Sequence, residues 1–227
     1  MIVAFAGQKG GVGKSTTAAC LAVAALEAGS RVLLVDADPQ GTVRTWGEVA
    51  AERKRPAPTV IAMGASMHKS GQLADLASGF DMTFIDCPPR HGDVQRSALM
   101  VADVVVLPCG ASAADAWALA MSLEVVREAR ALRDELIACI LITRKQGRTA
   151  LGKGARKVLE STGLPVLDTE LGSRVAYQEA IAVGQGITTF APRDAGAREI
   201  NDLLDELGRV FHGQEASGRF VAQAAAR

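Results

Sequence analysis

Gln8-Lys9-Gly10-Gly11-Val12-Gly13-Lys14-Ser15-Thr16 follows the short apolar run Met1 to Ala6 and opens a stretch of helical composition, Ser15 to Ala28. A glycine-rich turn that leaves a strand and begins a helix has the order a phosphate cradle needs, because backbone N–H groups of the turn and of the helix start converge on one place. Gly10, Gly11 and Gly13 let the chain curl without Cβ clashes. Lys14 supplies a cation to β- and γ-phosphates, and the Ser15 hydroxyl is a Mg²⁺ ligand. Val12 and Thr16 complete the contact segment. The strict G-x-x-x-x-G-K-[ST] pattern is broken at Gln8, which stands where its first glycine belongs.

Outward from this turn, short apolar runs recur: Arg31 to Val35, Met82 to Ile85, Val104 to Leu107 and Ile137 to Ile142, with a further strand expected at Thr59 to Ala62. Runs of this length without polar alternation read as strands buried on both faces. Between them lie helical stretches, Ala113 to Arg133, Ala150 to Ser161 and Ala195 to Phe211. The alternation predicts an α/β, doubly wound, mostly parallel sheet covered by helices on both faces. At 227 residues and 48% hydrophobic composition, one domain is expected, over residues 1–211. Residues 212–227, polar and then alanine-rich, are expected to be a frayed or loosely docked tail.

Two acidic segments stand at strand ends. Val35-Asp36-Ala37-Asp38-Pro39-Gln40-Gly41 closes the second expected strand and brings carboxylates beside the phosphates. Phe80-Asp81-Met82-Thr83-Phe84-Ile85-Asp86-Cys87-Pro88-Pro89 carries Asp86 at the end of an apolar run. Phosphoryl transfer asks of a protein mainly charge neutralisation and positioning, so lysines, glycines and aspartates suffice.

Lys9-Gly10-Gly11-Val12-Gly13-Lys14-Ser15-Thr16 resembles the deviant Walker A motif of the ParA/MinD group of P-loop ATPases, and the two acidic segments resemble its switch I and its Walker B with switch II. The resemblance spans Met1 to about Phe211. It implies ATP and Mg²⁺ as cofactors and a homodimer joined by ATP, with Lys9 reaching the partner's nucleotide. It implies that Asp38 orients the attacking water, that Asp36 supports the Mg²⁺ shell together with Ser15, and that Asp86 reaches the ion through a bound water. An adenine-contacting loop of the family matches Phe190-Ala191-Pro192-Arg193-Asp194, with Pro192 as the contact; a plain loop before the last helix is the alternative.

Composition narrows the partners. Lys plus Arg equals Asp plus Glu at 25 each, so local patches decide. Aromatic residues are 4% of the chain, too few for a base-stacking surface for single strands. Cys20, Cys87, Cys109 and Cys139 lie apart in apolar stretches, which suggests buried thiols rather than a zinc or disulfide framework. They also lack the glycine-rich cysteine motif of an iron–sulfur carrier with this kind of P-loop. No secretory signal or membrane-length apolar run is present, so a cytoplasmic protein is expected.

From Arg144 to Lys157 the chain carries Arg144, Lys145, Arg148, Lys153, Arg156 and Lys157 with no acidic residue between them. With Arg174, in a segment resembling a DNA-contacting region of the family, this run is the expected surface for non-specific double-stranded DNA; a solvated helix face is the alternative. With only a handful of residues before the P-loop, no helix-turn-helix precedes it, which resembles the short ParA type. That type leaves specific DNA reading to an adaptor or centromere-binding protein that stimulates hydrolysis. The implied role is segregation or positioning of a plasmid or chromosome partition complex from the nucleoid. A protein cargo such as a chemoreceptor cluster is the alternative. A MinD-like membrane cycle is disfavoured, because Arg219 to Arg227 has only two sizeable apolar residues and two cations.

Overall fold

The computed structural model of the chain describes residues 1–90, 92–110, 112–146 and 156–217. Among these, β1 (Ile2–Phe5), β2 (Val32–Asp36), β3 (Thr59–Ala62), β4 (Met82–Asp86), β5 (Val104–Gly110), β6 (Ile137–Lys145) and β7 (Val166–Gly172) form one sheet. Its order is β3-β2-β4-β1-β5-β6-β7, and every pairing is parallel. The helices are α1 (Lys14–Glu27), α2 (Thr42–Glu52), α3 (Leu73–Ala77), α4 (Gly92–Leu99), α5 (Ala113–Arg130), α6 (Val175–Ala182), α7 (Ile187–Phe190) and α8 (Ala195–Ser217). Residues 156–160 are also helical.

Strand alternation divides the core into two layers. Val3, Phe5, Val32, Leu34, Phe84, Val104, Val106, Cys139 and Leu141 face α1, α2 and α6 to α8. Ala4, Leu33, Val35, Ile85, Val105, Leu107, Ala138 and Ile140 face α3, α4 and α5. Helices therefore cover both faces, as the run of uninterrupted apolar strands requires. Helix α1 is buried almost all round from Thr17 to Ala25, because it lies between the sheet and the other helices of its layer. The connection β1–α1–β2 uses one face and β4–α4–β5 the other. The crevice at the carboxyl ends of β4, β1 and β5 is where such a sheet places its ligand.

Strand β7 is absent from the sequence-based expectation. Its charged residues, Asp168 and Glu170, break the apolar run, since this edge strand buries only Leu167 and Leu171. Its outer N–H groups are capped from α8: Glu206 accepts from Asp168 N at 2.7 Å and Thr169 N at 2.9 Å, and Glu199 accepts from Gly172 N at 3.0 Å. Two carboxylates thus close an edge that would otherwise offer itself for pairing. The expected tail boundary also moves, because α8 runs unbroken through Ser217, past Phe211. Residues 218–227 lie outside the described residues.

Helix α2 is pinned at its middle and end. Gly184, at φ +71°, brings its backbone so close to Ala50 that an added Cβ would lie 2.5 Å from Ala50 N. Trp46, 2% exposed, donates its Nε1–H to Gln185 O at 3.1 Å.

Glu206→Ala strips two N–H groups of β7 of a charged acceptor, and a stability loss of about 2–4 kcal/mol is expected. Urea unfolding should show a lower midpoint with an unchanged slope. A midpoint within experimental error of the parent would show that water caps that edge equally well.

Candidate nucleotide site

Six strand ends build the site. The turn after β1 holds Gln8 to Gly13, β2 ends on Asp36, β4 on Asp86, β5 leads to Asp115, β6 ends with Thr143 to Lys145, and β7 leads to Arg174. Gly13 caps α1 in the left-handed region at φ 96°, and Gly11 stands at φ 72°, conformations that exclude most side chains at little cost to glycine. Lys14, the first residue of α1, is 6% exposed and turns back into its own loop, donating to Lys9 O at 3.0 Å and Gly7 O at 3.3 Å. Burial lowers its proton affinity, and Asp86 is the foremost of the neighbouring groups that restore it.

Asp36 and Asp86 are direct neighbours in the β2–β4 register, yet their surroundings differ. Asp36 accepts from Asp38 N at 3.1 Å and from Arg44 N at 2.7 Å, so it shapes the switch-like turn and caps α2 from outside the helix. Asp86 is wholly buried, and neither of its oxygens has a hydrogen-bond partner among the described residues. Burial pushes its carboxyl up to about 7; the Ser15 hydroxyl pulls the other way without meeting hydrogen-bond geometry, and Asp36 adds to the rise. A buried carboxylate without a donor is costly, and a divalent cation beside it removes that cost. The donor set of Ser15, Asp86 and Asp36, all oxygen, suits Mg²⁺. Asp38 is half-buried, and its Oδ1 accepts from Gln40 N at 2.9 Å.

Lys9 leaves the cradle on the other side. Its Nζ lies 2.5 Å from Asp115 Oδ1, with 38% of the lysine side chain exposed. Asp115 also closes the capping box of α5 with Ser112. Seven residues further along that helix, Ser122 accepts from Gln8 N at 3.1 Å. The buried Gln95 donates to Pro88 O at 2.7 Å, tying α4 to the turn after β4. Asp115, Ser122 and Gln95 escape sequence reasoning; the Ser112-to-Asp115 capping spacing after β5 is the one local signal for any of them.

A cavity of about 280 Å³ opens beside the loop, bounded by Gly13 and Thr16 and, across from them, by Thr143, Arg144, Arg174 and Tyr177. Thr143 donates to Val12 O at 2.8 Å, and Arg144 to Gly11 O at 2.9 Å. Pro192, expected at an adenine contact, is exposed in the turn between α7 and α8 and does not line this cavity.

The expected DNA surface is altered by folding. The run from Arg144 to Lys157 is free of acids only along the chain: Glu170 pairs with Lys145 and lies 3.1 Å from Arg156 Nη2. Arg156 also faces Glu160 at 3.8 Å and donates to Leu167 O. Arg174 pairs with Glu199 at 2.5 Å and approaches Asp194 at 3.9 Å, while both Arg144 and Arg174 line the cavity. Lys157 is exposed, and Arg148 and Lys153 lie outside the described residues.

Residues 3–187 match the family model described as the CobQ/CobB/MinD/ParA nucleotide binding domain. The chain is 29% identical over 208 residues to maintenance of carboxysome distribution protein A of Halothiobacillus neapolitanus, covering 90% of this chain and 95% of that one. It is 32% identical over 234 residues to the chromosome-partitioning ATPase Soj of Thermus thermophilus, covering 90% and 94%. The solved structure of apo McdA from Cyanothece superposes with a TM-score of 0.73 at 20% identity, covering 91% of this chain and 99% of that one, a likeness of fold.

The raised carboxyl of Asp86 has a measurable consequence in the ligand-free protein. The folded state holds this proton more tightly than the unfolded chain, so the group's effect on stability is neutral below about pH 4, becomes a penalty that grows from there to about pH 7, and levels off above it. Asp86→Asn should therefore gain stability over the parent by up to about 4 kcal/mol at pH 8 and by little at pH 4. Urea titrations of both proteins at the two pH values check this. An equal difference at both would mean that the fold does not raise the Asp86 carboxyl.

Proposed function

The chain belongs to the CobQ/CobB/MinD/ParA nucleotide binding domain family, and from that premise we propose that it is an ATPase of ParA type using ATP and Mg²⁺. It dimerises on ATP, binds double-stranded DNA without sequence preference in that state, and segregates or positions a cargo from the nucleoid. An adaptor protein stimulates its hydrolysis. The observation that carries the reading is the buried pair at the crevice: Lys14, folded into its own loop, and the unpartnered Asp86 that helps keep it charged.

In this reading the loop N–H groups and Lys14 hold the phosphates, and Ser15, Asp36 and Asp86 supply the cation site. Mg²⁺, when bound, neutralises phosphate charge and fixes the phosphate oxygens in place. Asp38, on the half-buried turn held by Asp36, orients the attacking water. The cavity beside Thr16 and Tyr177 takes the nucleoside. Lys9 exchanges Asp115 for the nucleotide of the second subunit, so that dimerisation breaks one ion pair and forms another.

Two cargoes are open to the same cycle. A partition complex accords with the likeness to Soj, and a protein assembly accords with the likeness to maintenance of carboxysome distribution protein A. Among the described residues, no helix is long and apolar enough to cross a membrane.

Random-sequence duplex, titrated with the protein in ATP, ADP or no nucleotide at several salt concentrations, tests the proposal. Binding that needs ATP and weakens with salt is expected; nucleotide-independent binding, or none, would overturn the DNA-coupled cycle. Lys14→Ala should lose nucleotide binding. Asp38→Ala should keep ATP and stay on DNA while hydrolysis stops, and normal turnover in that variant would remove Asp38 from its role. Lys9→Ala should bind nucleotide as a monomer and fail to dimerise in sedimentation velocity.

A further inference from the structure

One face of α2 continues into the loop after it as an exposed basic strip. Arg44, Arg53, Lys54 and Arg55 are all exposed, and none of their side chains makes a hydrogen bond or ion pair among the described residues. Arg44 and Arg55 stand at either end of an open groove of about 520 Å³ whose floor includes Gly47, Ala51 and Val60. Glu48 lies within the groove, and Glu52 is exposed beside it, so the strip keeps a positive excess. The other side of the helix is buried through Val43, Trp46 and Ala50, which fixes the direction in which the strip faces.

From these observations we propose that duplex DNA is bound on the α2 strip, through Arg44, Arg53, Lys54 and Arg55. This rests on the reading that the chain binds DNA at all. Phosphate binding is driven by cations that release counterions, and a cation already paired with a carboxylate contributes little. Lys145, Arg156 and Arg174 are so paired. Beside them lies an acidic groove of about 460 Å³ with Asp168, Asp202, Asp205 and Glu206 on its walls, which repels a phosphate backbone. The four cations of the α2 strip have no such pairing among the described residues, and Glu48 is the one acid in the lining of its groove. Arg44 and Arg53, the residue that ends the helix, are separated by about 13 Å at the helical rise of 1.5 Å per residue. That is of the order of the roughly 12 Å width of a major groove, so each end meets a different phosphate row. The small residues between the ends let the duplex come close.

The test uses the full chain with ATP and a labelled random-sequence duplex. The triple variant Arg53→Gln, Lys54→Asn, Arg55→Gln should keep parental ATP binding and basal hydrolysis. It should lose about tenfold or more in duplex affinity, with the dependence of log Kd on log salt shallower by roughly 1 per cation removed. Lys157→Gln, on the other surface, should stay within about twofold of the parent. If the parent binds duplex and the triple variant binds it equally, this surface is wrong while the DNA-binding reading stands. If the parent binds no duplex with any nucleotide, that reading fails and the surface falls with it. A triple variant that binds duplex normally but loses a labelled polyglutamate peptide bound by the parent overturns the proposal in favour of an acidic protein partner.

Discussion

The fold around the crevice depends on how the Lys14 ammonium is kept inside it. A lysine at the first position of a helix sits at the positive end of the dipole and away from water, and both effects oppose its charge. The loop answers by turning the carbonyls of Gly7 and Lys9 inward to it. A trans peptide that points its carbonyl one way points the following N–H the other. The Gln8 N–H is therefore directed outward, where Ser122 of α5 receives it. Holding the lysine thus fixes the loop and the register of α5 against it, and with α5 the position of Asp115, which receives Lys9.

The same economy separates the two aspartates at adjacent strand ends. Asp36 accepts backbone N–H groups on both oxygens and so builds the turn to α2. Asp86 keeps both oxygens free at the cost of a raised proton affinity. Of the two, Asp86 leaves both oxygens wholly unclaimed, and it is also the one that Lys14 feels most strongly among its neighbours. The unequal treatment of two carboxylates at the same height of the sheet is what makes this crevice a place for charge exchange and not merely a polar strand end.

The elements legible in the sequence are those whose information is local. The strands buried on both faces declare themselves as apolar runs, and the glycine turn, Asp36, Asp38 and Asp86 stand at their ends. What stays hidden depends on partners far along the chain. Strand β7 reads as a charged loop because its outward residues and its edge N–H groups answer to α8. The cavity wall of Thr143 and Tyr177 comes together only when β6 and α6 are brought beside the loop. Lys145 and Arg156 of the basic run, and Arg174 beyond it, meet Glu170 and Glu199 from later in the chain, which the run itself does not reveal. A charge count along a sequence measures neighbours in the chain, whereas a phosphate meets neighbours in space.

Helix α2 joins the acidic turn after β2 to the basic strip, since Asp36 caps its start and the strip runs along its outer face. Its later half is held rigidly: Gly184 presses on Ala50 and Trp46 is bonded to Gln185 O. Its start is reached through Gly41, in the left-handed region at φ 69°, next to the exposed Pro39 and Gln40. The strip is built on this held helix and on the loop that follows it. In the proposed cycle, dependence of DNA affinity on ATP comes from number: two strips in one dimer raise the effective concentration of the second contact, and a salt-sensitive weak site becomes a firm one without any change in its own shape.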